Sequence, residues 1–181
     1  MSVTQFNPFP IVTTERLILR QITTDDDQDI FELRSDDVVR KYIARAEMAD
    51  VTEAKAWIER INNNVKEGKS INWAIMLKDT NAFIGLICLW NFSEDRTVAE
   101  TGYELSPAYH GKGIMTEALI AAIDYGFSVL HLKSIEAFTH KENLRSIKML
   151  QKQNFVHNKT RVDEGFPNNV IFILQNKKDR P

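Results

Sequence analysis

The chain predicts a mixed α+β fold: a mostly antiparallel sheet with helices on both faces and one parallel strand pair near its centre. Three observations predict it. Short segments alternating apolar and polar residues are interleaved with longer ones whose apolar residues recur every three or four positions. Segments 71–77 and 82–90 are joined only by Lys78-Asp79-Thr80-Asn81, a short, turn-prone link that favours an antiparallel hairpin. Strand-like segments 99–105 and 134–139 flank a long helical stretch, and a helical crossover makes the strands it joins parallel.

The elements follow in order. Residues 16–22 alternate as a strand. Thr24 offers an N-cap with Asp27 three positions later, and Asp25 and Asp26 favour the positive start of a helix running to about Arg34. A second helix starts at Thr52, presents Ala54, Trp57, Ile58, Ile61 and Val65 on one face, and stops at Gly68. After the hairpin and a loop at 93–96 comes strand 99–105. From Met115 a helix buries Met115, Leu119, Ala122, Ile123, Phe127 and Leu130. Strand 134–139 is followed by a helix capped by Asn143, with Leu144, Ile147, Met149 and Leu150 inward. Strands 155–162 and 170–174 close the chain around the turn Gly165-Phe166-Pro167-Asn168.

Length and composition narrow the function. A chain of 181 residues without repeats or linkers reads as a single domain spanning 1–181. A formal charge of −2 and the lack of a basic run exclude an electrostatic pull toward nucleic acid. Cys88 is the only cysteine and lies in an apolar strand, which predicts an inert thiol and no disulfide. His110, His131, His140 and His157 lack ligand spacing, so no metal is expected. No basic leader followed by an apolar stretch and no membrane-length apolar run occur, so a cytoplasmic protein without a membrane partner is expected.

The informative segment is His110-Gly111-Lys112-Gly113-Ile114-Met115-Thr116, between strand 99–105 and the long helix. Glycines at a helix entrance permit a sharp turn and leave no Cβ over the free N–H groups of the first turn. With the positive end of the helix dipole behind them, those groups suit a phosphate or pyrophosphate. A P-loop is excluded because Gly113, not Ser or Thr, follows Lys112. A dinucleotide fingerprint would need a third glycine where Thr116 stands; Glu136 lies at ribose-binding distance downstream, but too little chain remains for a second nucleotide-binding half. A plain strand-to-helix connector is the other reading of the turn.

The element order, with this turn after the fourth strand, resembles the GNAT superfamily of acetyl-CoA-dependent N-acetyltransferases. Four pieces of sequence carry the likeness to its ribosomal-protein N-acetyltransferase branch. They are Thr14-Glu15-Arg16-Leu17-Ile18-Leu19-Arg20, Ala99-Glu100-Thr101-Gly102-Tyr103, His110-Gly111-Lys112-Gly113 with Thr116-Glu117-Ala118, and Glu142-Asn143-Leu144-Arg145-Ser146-Ile147. The likeness spans about residues 13–175. It implies the acyl-CoA N-acyltransferase fold, with the central parallel pair splayed apart near Leu105.

Site residues follow from the resemblance. The turn, with His110 in place of Arg or Gln and Met115 in place of Gly or Ala, would hold the pyrophosphate of acetyl-CoA through the main chain of Gly111, Lys112, Gly113, Ile114, Met115 and Thr116. Lys112 would add charge or simply be solvated. Asn143 would bind the pantetheine arm, or serve only as a helix cap. Glu100 resembles the strand glutamate that acts as base; a salt-bridged carboxylate is its other reading. Glu104 shares its face by the two-residue period and is the reserve base. Ser146 matches a helix serine implicated in handling the thiolate. Leu150 stands where many members carry a tyrosine acid, while Tyr103 is expected on the opposite face in the core. Strand N–H near Leu105 would stabilise the oxyanion. The acceptor groove would form from about residues 25–68 and 160–170, where Asp25-Asp26-Asp27-Gln28-Asp29 is either a cation-attracting run or a solvated helix start. Acceptors implied are a ribosomal protein N-terminus, a small amine or an aminoglycoside-like compound, with room for a homodimer. A regulatory acyl-CoA-binding module without catalysis is the alternative class.

Overall fold

The computed structural model describes residues 6–177. Its strands are β1 Val12–Thr13, β2 Leu17–Gln21, β3 Ile71–Leu77, β4 Phe83–Trp90, β5 Val98–Leu105, β6 Ser134–His140, β7 Val156–Asn158 and β8 Asn169–Gln175. The helices are α1 Asp27–Ser35, α2 Asp37–Arg40, α3 Val51–Lys66, α4 Ile114–Ser128 and α5 Leu144–Lys152. All eight strands form one sheet in the order β1-β2-β3-β4-β5-β6-β8-β7. Every neighbour pair is antiparallel except β5–β6, which is parallel as the intervening α4 requires.

Alternation sorts the side chains between two cores. Leu17, Leu19, Trp73, Ile75, Ile87 and Leu89 lie on the face that α4 covers with Ala118, Leu119 and Ala122 and α5 covers with Leu150. Ala74, Met76 and Leu86 lie on the opposite face, under Ile30 and Leu33 of α1 and Ala54 and Ile58 of α3.

The feature that positions the site is the parting of β5 from β6. Their pairing runs Val98↔Ser134, Ala99↔Ile135, Glu100↔Glu136, Thr101↔Ala137 and then stops. On the outer sides, β5 stays paired with β4 to Leu105 and β6 with β8 to His140. A cleft therefore opens between two strands that are each held from behind. The splayed parallel pair expected from the sequence is present.

Several local expectations are corrected. Thr23, not Thr24, caps the first helical turn: the Asp26 carboxylate accepts from the Thr23 N–H at 2.7 Å and holds Arg20 through bonds of 2.8 and 2.6 Å. Asp26 is thus a buried ion-pair partner rather than part of a solvated acidic face. Helix α2 is additional, and its four residues are too few to show a period; Asp36 caps it by accepting from Val38 and Val39. Leu144 is 61% exposed. At about 100° per residue, Leu144 points away from the Ser146 and Leu150 stripe that faces the sheet. The strand expected over 155–162 shrinks to β7, because the Asn158 side chain accepts from the N–H groups of Thr160 and Arg161 and turns the chain out of the sheet.

Candidate active site

The glycine turn is built as its sequence suggests. Gly111 and Gly113 have φ of +75° and +74°, values at which a side chain is strained, and Gly113 is the N-cap residue of α4. A Cβ on Gly111 would meet nothing within 4 Å, and one on Gly113 would meet only Arg16 Nη2 at 3.5 Å. The main chain of the turn is therefore open to an approaching group. Ile114 and Met115 point into the main core, so the bulk of Met115 lies on the far side from the N–H groups. Arg16 fixes the turn, donating to the Lys112 carbonyl at 3.0 Å and pairing with Glu117 at 2.7 Å. Lys112 is exposed, its ammonium 5.5 Å from the Tyr109 ring centre.

Above the turn, Ser106 donates to the Ile84 carbonyl and Leu86 lies opposite Glu104. Alternation in an antiparallel pair then directs the N–H groups of even-numbered β5 residues to β4 and those of Tyr103 and Leu105 toward β6. Because β6 has already parted, these two N–H groups line the cleft. The Leu105 carbonyl accepts from His110 Nε2–H at 2.9 Å, while His110 Nδ1 accepts from Arg145 at 2.5 Å. These two partners select the Nε2–H tautomer. Asn143 serves as the cap of α5, accepting from the Ser146 N–H at 3.2 Å, and its side-chain NH2 is not used in that bond.

The two candidate bases share one face of β5 but have different surroundings. Glu100 is half-buried beside Glu136, and its Oε1 accepts from Asn91 Nδ2 at 2.5 Å. Burial raises its pKa; the Asn91 bond opposes this, Glu136 and Asp163 add to it, and Arg161 opposes it. Glu136, the residue a dinucleotide reading would assign to a ribose, is gripped by both terminal nitrogens of Arg161. A sheet with a single parallel pair also lacks the doubly wound half that reading needs. Glu104 Oε1 accepts from Arg34 at 2.9 Å and Arg45 at 2.5 Å, and Arg34 lies over the Trp57 ring at 4.3 Å.

On the other face, Tyr103 lies against the core as expected, and its hydroxyl makes a further contact. Its ring packs against the main core, but its hydroxyl lies 2.8 Å from Ser146 Oγ. Burial pushes its pKa up to about 12, with the Ser146 bond opposing. Arg34 and Arg45 were not readable as site residues, because each meets its partner across a distance in sequence that no periodicity spans; Tyr103 and Arg145 stand within the Ala99–Tyr103 and Glu142–Ile147 motifs, which say nothing of the partners they meet. Arg16 had a sequence signal, its place in the Thr14-Glu15-Arg16-Leu17 motif. Cys88 donates weakly to the Gly102 carbonyl at 3.5 Å, and burial pushes its thiol up to about 12, keeping it protonated.

A second cleft of about 330 Å³ opens beside the end of β6. It lies between residues 41–44 of the α2–α3 connection and 165–169 of the β7–β8 loop, with His140 in its lining. Tyr42 stacks on His140 at 5.6 Å between ring centres. Its lining carries one full charge, Lys41. Among the described residues, no helix is long and apolar enough to cross a membrane.

Comparison with known proteins agrees with this geometry. The family profile described as an acetyltransferase (GNAT) domain matches residues 16–156. The uncharacterized N-acetyltransferase YoaA of Bacillus subtilis is 35% identical over 147 residues, covering 81% of this chain and 83% of its own. Mycobacterium smegmatis RimJ in complex with CoA-disulfide superposes with a TM-score of 0.82 at 20% identity, covering 95% of this chain and 90% of that one. The ribosomal-protein-S5-alanine acetyltransferase of Vibrio fischeri superposes with a TM-score of 0.81 at 21% identity, over 95% of this chain and 100% of that one. A cleft between parting parallel strands, a positive-φ glycine turn beneath it and a family match over most of the chain lead to one conclusion: the chain belongs to the GNAT acetyltransferase family and is an N-acetyltransferase of that type.

Proposed function

We propose that this protein transfers the acetyl group of acetyl-CoA to a primary amine by direct attack within a ternary complex, in the cytoplasm. The observation carrying this reading is the parting of β5 from β6 after Thr101, directly above an open glycine turn at a helix N-terminus. Two features fit the cofactor. The main chain at Gly111 has empty space where any other residue would place a Cβ. The unpaired N–H of Leu105 matches an arm whose amides add to a strand edge. Residues 111–116 would then hold the pyrophosphate, Leu105 and Asn143 the arm, and His110 the end of β5. When bound, acetyl-CoA supplies an activated acyl group as a thioester.

The chain's own residues do the rest. Glu100, with one neutral hydrogen-bond partner and a raised pKa, accepts the proton of the attacking amine, directly or through water. Glu104, bound on one oxygen by two guanidinium groups, anchors Arg34 and Arg45 to β5 instead. The N–H of Tyr103, deeper in the cleft than that of Leu105, donates to the carbonyl oxygen as negative charge develops on it. Ser146 donates to the departing sulfur.

For the acceptor, the cleft at residues 41–44 and 165–169 favours the N-terminal amine of a protein over a polyamine or aminoglycoside. Aromatic rings and main chain suit an extended peptide, whereas a polycation would find Lys41 and no carboxylate in that lining. Acetyl transfer from acetyl-CoA is tested with a panel of peptides bearing free N-termini, polyamines and aminoglycosides, followed by product mass. Peptide N-termini are expected to be acetylated at the highest kcat/KM. Preference for a polyamine would overturn the acceptor assignment, and absence of transfer to every amine would leave a CoA-binding module.

A further inference from the structure

The hydroxyl groups of Tyr103 and Ser146 lie 2.8 Å apart beside the cleft, Tyr103 being the second residue of β5 beyond its last pair with β6. Ser146 is 7% exposed and sits in the first turn of α5. Position 150, where a helix tyrosine would provide an acid, is a fully buried leucine. The strand hydroxyl is therefore the phenol that reaches this place.

The direction of the hydrogen bond follows from the chemistry of the two hydroxyls. Among the described residues, Tyr103 Oη has Ser146 Oγ as its hydrogen-bond partner, and Ser146 Oγ has Tyr103 Oη. A phenol O–H is the stronger donor and an aliphatic hydroxyl oxygen the stronger acceptor, so Tyr103 donates and Ser146 accepts. With Tyr103 as donor, the phenol is satisfied and the Ser146 proton remains available to a further acceptor.

Building on the assignment of Ser146 to the departing sulfur, we propose that Tyr103 is a positioning residue: its hydroxyl donates to Ser146 Oγ and so aims the serine O–H at the leaving thiolate. As the carbon–sulfur bond breaks, the electron pair stays on sulfur and accepts a hydrogen bond from Ser146. The proton lost by the amine goes to Glu100, and sulfur is protonated from solvent on release, so the balance closes without a proton leaving Tyr103. A phenol that titrates at about 12 does not protonate the conjugate base of a thiol whose ordinary pKa is about 8.5. Its contribution is orientation, not acid catalysis.

The test pairs Tyr103→Phe, which removes only the hydroxyl from the packed ring, with Ser146→Ala and the double variant. Ser146→Ala is expected to lower kcat about ten- to a hundredfold, the range for a hydrogen bond to a charged group. Tyr103→Phe is expected to lower kcat about three- to tenfold with KM for acetyl-CoA unchanged, and the double variant to be no worse than Ser146→Ala alone. A second readout is the ultraviolet thiolate absorbance of bound coenzyme A against pH. Its midpoint should rise in Tyr103→Phe and rise further in Ser146→Ala, which loss of packing alone would not produce. Wild-type kcat and an unmoved midpoint in Tyr103→Phe, with Ser146→Ala impaired, would overturn the role of Tyr103 alone. Wild-type behaviour of Ser146→Ala would overturn the assignment of Ser146 and the proposal with it. A Tyr103→Phe protein too unstable to assay leaves Ser146→Ala and its thiol titration to decide, an unmoved midpoint there again overturning both.

Discussion

Replacing Gly113 with valine is expected to weaken coenzyme A binding at least tenfold in titration calorimetry. Two effects act together. Gly113 has φ of +74°, where a β-branched residue is an outlier, so the turn would relax toward negative φ and rotate its N–H groups away. The new side chain would also stand beside Arg16 Nη2, 3.5 Å from the Cβ position, on the open side of the turn. Each charge-assisted hydrogen bond from main-chain N–H to a dianionic pyrophosphate contributes about 1.5–3 kcal/mol, so misaligning even one accounts for a tenfold loss. The turn is exposed, so the fold should survive, as a thermal melt would establish. A folded Gly113→Val protein with unchanged affinity would move the pyrophosphate away from this turn.

Glu100→Gln carries the larger effect on turnover. The amide keeps the shape of the carboxylate and can still meet Asn91, but it cannot take a proton. General-base contributions are typically about a hundred- to ten-thousandfold, so kcat should fall within that range while CoA affinity holds. The pH dependence has a definite sign. Burial raises the Glu100 pKa above its usual range near 4.3, so the basic form is lost at a higher pH than for a free glutamate. As pH falls, kcat/KM first declines with slope one, as an N-terminal amine of pKa about 7.7–8.0 becomes protonated. Below the Glu100 pKa it should decline with slope two. In Glu100→Gln the second break should vanish, leaving slope one throughout. A retained second break with a near-normal rate would assign the base to another group.

Legibility in the sequence varied with the range of the interaction. Segment 71–77 was readable to the residue because a short apolar run and a tight following turn are both local. The glycine turn was readable because positive φ at an open position excludes almost every other residue. The splay followed from resemblance in element order, since nothing in the local pattern of β5 or β6 says where their pairing ends. The early end of β7 lay hidden in one side chain, Asn158, competing with the strand for its own backbone. Pairings such as Tyr103 with Ser146, Arg45 with Glu104 and Arg145 with His110 join distant elements, and only the folded chain brings them together. Tyr103 is instructive: the two-residue period gave its face correctly, but the period says nothing about what its hydroxyl meets there.

The most direct measurement is a crystal structure of the protein with coenzyme A. The account predicts the pyrophosphate on the main-chain N–H groups of residues 111–116, the pantetheine arm between β5 and β6 with an amide on Leu105, and the sulfur within hydrogen-bond reach of Ser146 Oγ. Coenzyme A bound outside the β5–β6 cleft, with the glycine turn bare, would contradict it.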